Sequence, residues 1–332
     1  MWQRRLSQKL GAKLVPLGAG LLAVTLEHGQ ATLRSMHVRD GAEDWSISFD
    51  SSDCLSLLRT GQQILSIASD RLTFIDAARK RVVLEVAAKE GQRYTGAALS
   101  KKGRFYLLSE STGTLYLSAI DARSGTTIWQ TKTSQGTAST TVLADAGGLL
   151  MAIRNSHERL NIRAYAAATG DLAWERDDIE GSPVTHWAAF NLFDLAVKEK
   201  GVWGLNSSDG SDRSLRFFGM KYVEAHLMGQ SFLVVTENDG LRELLSFDTV
   251  SSELKGKIPT DIQRIIGAHS AEVLTEHPDG YPELFSLPKL NPIQLPHAKE
   301  IGQICEIAWA RDVAYLVAKD QRTITAIDLR YA

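Results

Sequence analysis

The chain repeats itself at a fixed interval. Leu115–Trp129 reads Leu-Tyr-Leu-Ser-Ala-Ile-Asp-Ala-Arg-Ser-Gly-Thr-Thr-Ile-Trp, Ile162–Trp174 reads Ile-Arg-Ala-Tyr-Ala-Ala-Ala-Thr-Gly-Asp-Leu-Ala-Trp, and Met36–Trp45 ends the same way. In each copy a glycine (Gly41, Gly125, Gly170) stands four residues before a tryptophan (Trp45, Trp129, Trp174). The pattern describes a β-hairpin. A strand ends, an acid such as Asp121 can bond the turn amides, the glycine takes the positive-φ position, and the next strand places the tryptophan on its buried face. Weaker copies at Ile75-Asp76, Leu205-Asn206, Phe247-Asp248, Phe285-Ser286 and Ile327-Asp328 bring the number to eight. Successive reference positions 37, 76, 121, 166, 206, 248, 286 and 328 lie 38 to 45 residues apart, within the range of propeller repeats.

The interval from 328 through the termini to 37 is 41 residues, so the repeat also continues across the chain ends. The last copy stops at Ala332 without its tryptophan-bearing strand, and Trp2-Gln3-Arg4-Arg5-Leu6 matches Trp129-Gln130-Thr131. The sequence therefore predicts an all-β closed β-propeller of eight four-stranded blades, with seven as the alternative count. It forms a single domain over 1–332, in which residues 1–8 supply the outer strand of the blade formed by 298–332. Pairing the first residues with the last removes the exposed edge that a linear array would leave. Met1 then reads as the natural start. Strand signals are regular, as in Phe105-Tyr106-Leu107-Leu108 followed by Leu115-Tyr116-Leu117, and no helix of useful length competes.

The run Ala119–Trp129 resembles the repeat of quinoprotein-type (PQQ-like) eight-bladed β-propellers, a family that includes the lipoprotein of the outer-membrane β-barrel assembly machine. The resemblance covers the whole chain as architecture and is specific at Trp2, Trp45, Trp129 and Trp174. It implies that these tryptophans pack between neighbouring blades and are structural. Later blades depart from the pattern, with Ser214 and Gln294 near the tryptophan position. The dehydrogenases of this family are longer, carry adjacent cysteines over the quinone and bind calcium with a Glu, Asn and Asp set. This chain has only Cys54 and Cys305, about 250 positions apart, so the expectation is no cofactor and no enzymatic activity.

Charge and hydropathy narrow the partners. With 37 basic against 39 acidic residues and a net charge of −2, the chain lacks the basic surface of a general nucleic-acid binder. No run of about 18 apolar residues predicts a membrane span. Arg4, Arg5, Lys9 and Lys13 before the apolar stretch from Leu14 to Val24 offer a secretory leader as an alternative. Pro16, Gly18 and Gly20 interrupt that stretch, and no small-x-small cleavage site follows. The reading is cytoplasmic, or periplasmic if the segment is a leader.

Chemical motifs are sparse. Asn206-Ser207-Ser208-Asp209-Gly210-Ser211-Asp212 has the oxygen-rich look of a calcium loop, but it lacks the terminal bidentate Glu and falls at a repeat turn, so it reads as a polar turn. His186, His226 and His269 lie 40 and 43 residues apart, near the blade period, and are weak candidates for a metal site at a central channel beside Glu306. Acidic segments in predicted face loops are the partner-binding candidates: Asp177, Asp178 and Glu180 between a fourth and a first strand, with His157, Glu158, Glu237 and Asp239 elsewhere. The functional expectation is a non-catalytic scaffold, monomeric within a larger bacterial assembly, that binds another protein through its face loops. The alternatives are an envelope assembly-type factor and an enzyme using the channel.

Overall fold

The computed structural model describes residues 1–329 except 19, 136–140, 147, 156–158, 181–186, 190–191, 198–200, 217–220, 229–230, 249–250, 252, 260–261, 270, 296 and 311. These residues form eight antiparallel four-stranded sheets, each a simple meander. The first blade comprises Val15–Leu17, Gly20–Glu27, Gln30–His37 and Glu43–Asp50. The second runs from Ser56–Thr60 to Arg81–Ala87, the third from Gln92–Lys101 to Thr127–Gln135, and the fourth from Thr141–Ala146 to Leu172–Glu180. The fifth runs from Trp187–Ala189 to Asp212–Arg216, the sixth from Lys221–Met228 to Leu254–Pro259, and the seventh from Arg264–His269 to Asn291–Ile293. Three strands of the eighth, Ile304–Ala310, Val313–Ala318 and Thr323–Asp328, come from the end of the chain, and its outer strand is Trp2–Arg5.

Trp2 stands opposite Ala326 and Arg5 opposite Thr323, so the two ends of the chain share one sheet. Leu6 N extends that pairing by donating to Arg322 O at 2.8 Å. The strand occupies four of the eight residues expected for it. Third strands end at His37, Asp76, Asp121, Ala166, Asn206, Asp248, Ser286 and Asp328, the positions on which the repeat aligns. First strands of successive blades touch in order, and Ile304–Ala310 meets Val15–Leu17 to complete the circle. Among the described residues the helix content is one turn, Ala298–Ile301.

The core lies between blades rather than within them. In the run Leu21-Leu22-Ala23-Val24 all four side chains are fully buried. Alternation sends Leu21 and Ala23 to a cluster with Tyr315 and Val317 of the eighth blade, and Leu22 and Val24 to a cluster with Ile64 and Ile75 of the second. Each central strand feeds two interfaces and therefore reads as a continuous apolar run. Outer strands have one covered face only, and Arg81–Ala87 alternates between exposed and half-buried residues along its whole length.

Candidate functional site

The repeat motif builds a clamp from each blade to the next. Trp2 Nε1 donates to Val38 O at 2.6 Å, Trp129 Nε1 to Ala167 O at 3.3 Å, and Trp174 Nε1 to Ser207 O at 2.8 Å. Each acceptor is the carbonyl three residues before the turn glycine of the following blade, namely Gly41, Gly170 or Gly210. The indole lies flat against that glycine: a Cβ on Gly170 would stand 2.5 Å from Trp129 Cε3, and one on Gly210 would stand 2.6 Å from Trp174 Cε3. Glycine is required twice over, because φ there is +78° and +70°. The turns themselves share one geometry, with Gly41, Gly125, Gly170 and Gly210 donating to His37, Asp121, Ala166 and Asn206. Asp121 Oδ1 accepts from the amides of Ser124 and Arg123, and these bonds, that from Ser124 foremost, hold its carboxyl below the usual range.

An arginine two residues after the tryptophan reinforces two of the clamps. Arg4 Nη1 donates to Gly41 O, and Arg176 Nη1 donates to Gly210 O at 2.6 Å and to Asp212 Oδ1 at 3.0 Å. The sequence signal was Trp-x-Arg, present in Trp2-Gln3-Arg4 and Trp174-Glu175-Arg176, and the repeat reading passed over it. Elsewhere the position is filled differently. Leu84 occupies it in the second blade, opposite Phe74 and against Gly125, and Ser214 does so in the fifth. In the sixth blade the residue is Gly256, and the backbone of Pro288 and Lys289 comes within 2.6 Å of where its Cβ would stand. In the seventh it is Ile293, next to the expected Gln294. Trp45 packs into the cluster holding Ala77 of the next blade, where Lys80 takes the glycine position at φ +51°.

The acidic candidates at Asp177, Asp178 and Glu180 require a correction: they sit in the outer strand Leu172–Glu180, not in a face loop. A register shift between Leu160 and Ile162 lets the strand continue past the charged residues and bury Ile179 opposite Leu160. Asp178 is also committed, since Arg176 Nε and Nη2 hold it at 2.5 and 2.7 Å and, with that bond as the leading cause, lower its pKa. Glu237 and Asp239 do flank a second-to-third-strand turn. There, Asp239 has φ +50°, and Arg242 Nε donates to Glu237 at 3.3 Å. His157 and Glu158 lie outside the described residues. The segment Asn206–Asp212 is a polar turn in which Asp209 Oδ1 accepts from the Ser211 amide and hydroxyl.

The histidines do not share a register. His226 pairs with Leu233, two residues before the end of its strand, whereas His269 pairs with Glu272 at the very end. The offset along the strand is about 7 Å. His186 lies outside the described residues, and no group of three potential metal ligands is found among the described ones. Instead, His226 Nε2 meets Glu224 Oε1 at 2.7 Å. Glu224 Oε2 in turn accepts from Ile265 N of the next blade at 2.8 Å. Glu306 repeats that device: its Oε1 accepts from Leu14 N at 2.8 Å, across the junction that closes the ring. Both glutamates follow a β-bulge four residues before their strand ends. Burial raises the Glu306 pKa, against the opposing influence of the Leu14 amide and Lys13.

Two cavities lie where Leu84 replaces tryptophan, between the second and third blades. One, of about 190 Å³, is lined by Val86, Lys89, Gln92, Tyr94, Ser118 and Gln130 among others. Four of its polar side chains are bonded in pairs, Gln92 Nε2 to Ser109 Oγ at 2.8 Å and Gln130 Nε2 to Ser118 Oγ at 3.0 Å. The other, of about 420 Å³, opens on the face bearing the hairpin turns and is lined by Gln63, Asp76, Arg79, Arg81, Val83 and Arg123.

Comparison with known proteins fits this architecture. A family model described as outer membrane protein assembly factor BamB matches residues 85–214, which is less than half of the chain. No curated protein matches the sequence. Among solved structures, the computationally designed Ika8 protein superposes with a TM-score of 0.72 at 10% identity, covering 97% of this chain and 96% of that one. BamB from Moraxella catarrhalis gives 0.66 at 14% identity, covering 98% and 97%, and Saccharomyces cerevisiae Sqt1 gives 0.69 at 10%, covering 99% and 98%. At these identities the likeness establishes the fold. The chain is a β-propeller of four-stranded blades, PQQ-like over the matched repeats.

Proposed function

We propose that this protein is a non-catalytic interaction scaffold, an accessory subunit that binds a partner protein within a larger bacterial assembly. The observation that carries the reading is the clamped ring. Buried clusters span the blade junctions and indole-to-turn bonds lock three of them, while Glu224 and Glu306 each hold an amide of the neighbouring blade and His226 is bonded to Glu224. A rigid disc with varied loops suits recognition, because little conformational entropy is lost when it docks. Cross-linking mass spectrometry on complexes purified from native extract tests this. The expected result is a stoichiometric partner cross-linked to propeller loops, and a chain that elutes alone at native concentration would overturn it.

A second reading, an envelope assembly-type factor, is favoured by the match of residues 85–214 to the BamB family model. The two readings differ in location. Cleavage within residues 4–24 would strip the eighth blade of its outer strand Trp2–Arg5 and of the Trp2 clamp. Cell fractionation with N-terminal sequencing separates them: intact Met1-Trp2 in the cytosol supports the first, and a processed chain in the envelope supports the second.

A further inference from the structure

Two cations without a hydrogen-bonded or ion-paired partner among the described residues meet in one open cleft. Arg81 and Arg123 both line the open cleft between the second and third blades, and neither guanidinium makes a hydrogen bond or ion pair among the described residues. By contrast Arg34, Arg93, Arg163, Arg176, Arg242 and Arg264 are each paired with a carboxylate. The one acid in the cleft lining, Asp76, is occupied by the amides of Ala78 and Arg79 and by the Arg79 side chain at 3.7 Å, and Asp121, which the Arg123 charge reaches, is taken up by the amides of Arg123 and Ser124, so the lining itself carries more arginine than acid. Val83 adds an exposed apolar side chain between them, 38% accessible. Arg81 and Val83 project from Arg81–Ala87, an outer strand with no strand paired on its far side.

We propose that this cleft receives an acidic peptide segment of the partner protein, a refinement that rests on the scaffold reading above. Arginine forks present paired donors that match carboxylates, Val83 offers apolar contact, and the open strand edge offers backbone donors and acceptors along an extended segment. Of the acids expected to attract a basic partner, Asp178 is paired with Arg176 and Glu237 with Arg242. The segment proposed for this cleft is acidic, whereas the acid-rich segments would suit a basic one.

The test is fluorescence anisotropy of a labelled glutamate decapeptide titrated with the full chain over a salt series. The expected result is saturable, salt-sensitive binding that weakens about tenfold in R81E/R123E, because both exposed guanidinium–carboxylate contacts are lost and reversal adds repulsion. R81K/R123K should retain most of it. K319E/R322E, an equal charge change at a second-to-third-strand turn on the opposite face, should bind as wild type does. Thermal melts of the variants show whether any loss reflects unfolding, and the lysine variant keeps the comparison informative. Absence of binding, equal loss in K319E/R322E, or equally tight binding of a thymidine oligonucleotide or inorganic phosphate would overturn the proposal. If R81E/R123E still holds a cross-linked partner in native extract, only the cleft assignment falls. If the wild type has no partner, the scaffold reading falls instead.

Discussion

Replacing Gly170 by alanine tests the clamp most directly. The new methyl would stand 2.5 Å from Cε3 and 2.7 Å from Cδ2 of Trp129, at a backbone φ of +78°. Two costs arise. Holding an L-residue in the left-handed region takes about 1–2 kcal/mol. Displacing an indole that is itself packed against Tyr106 and bonded to Ala167 O adds about 1–3 kcal/mol of overpacking. Gly29 supplies the control, because its φ is +83° and a Cβ there meets nothing within 4 Å. G29A should therefore carry the backbone cost alone, and the difference between the two variants isolates the ring contact. A double-mutant cycle sharpens the comparison. With Trp129 truncated to alanine the obstruction is gone, so G170A in that background should cost no more than G29A, and the coupling should be about 1–3 kcal/mol. Urea titration followed by far-UV circular dichroism measures all four stabilities without relying on tryptophan emission. If G170A proves as mild as G29A, or costs the same with and without Trp129, the indole is not held against the turn and the clamp argument fails.

Other expectations follow from the same contacts. Trp2→Ala removes the bond to Val38 O and the packing on Gly41 and Tyr315, and should destabilise by about 3 kcal/mol, the low end for a tryptophan truncation, since the ring is only half-buried. Limited proteolysis should then cut first near Thr323–Asp328, and cleavage elsewhere would refute ring closure as the weak point. Asp178 has a folded pKa below its ordinary 3.8, chiefly because of Arg176, so its stabilisation is present above that value and fades as pH falls below it. The stability gap between wild type and R176A should accordingly narrow in urea melts carried from pH 7 to pH 3. Glu306 behaves oppositely: its folded pKa is raised by burial, so its contribution is full below 4.5 and is lost as pH rises through the folded value. E306Q, which keeps an acceptor for Leu14 N, should therefore gain stability relative to wild type between pH 4 and pH 7, while E306A should lose about 1–3 kcal/mol throughout from the orphaned amide.

The elements that could be read from the sequence were those specified locally. A hairpin turn needs a glycine at one position and an acid or small residue at another, so Gly125 and Asp121 announce their geometry within five residues. The charged candidates could not be read in this way. Arg176 finds Asp212 and Gly210 thirty-four or more residues away, and the bulge that carries Leu172–Glu180 through its acids depends on its pairing with Arg159–Ala166. A run of four charges reads as a loop from sequence alone because its partners, Asn161 and Arg163 on the paired strand and Gly210 and Asp212 in the next blade, are not local. The histidine spacing misled for a related reason: a near-blade interval fixes blade order but not depth along the strand, and bulges such as the one before Glu224 shift that depth without changing the interval by more than a residue or two. The tryptophan position shows the complementary point. It is filled by Trp, Leu84, Ser214, Gly256 and Ile293 in different blades, yet the ring closes, so the clamp is a place in the fold that several side chains can occupy. Where the occupant is small, the neighbouring blade must come closer or leave space. Gly256 takes the first course, with the backbone of Pro288 and Lys289 against it, and Leu84 also closes up, its Cδ2 standing where a Cβ on Gly125 would clash with it. The clamp position therefore accepts side chains of very different size without opening the ring, and the junction that carries Leu84 is also the one bordered by the cleft of Arg81 and Arg123.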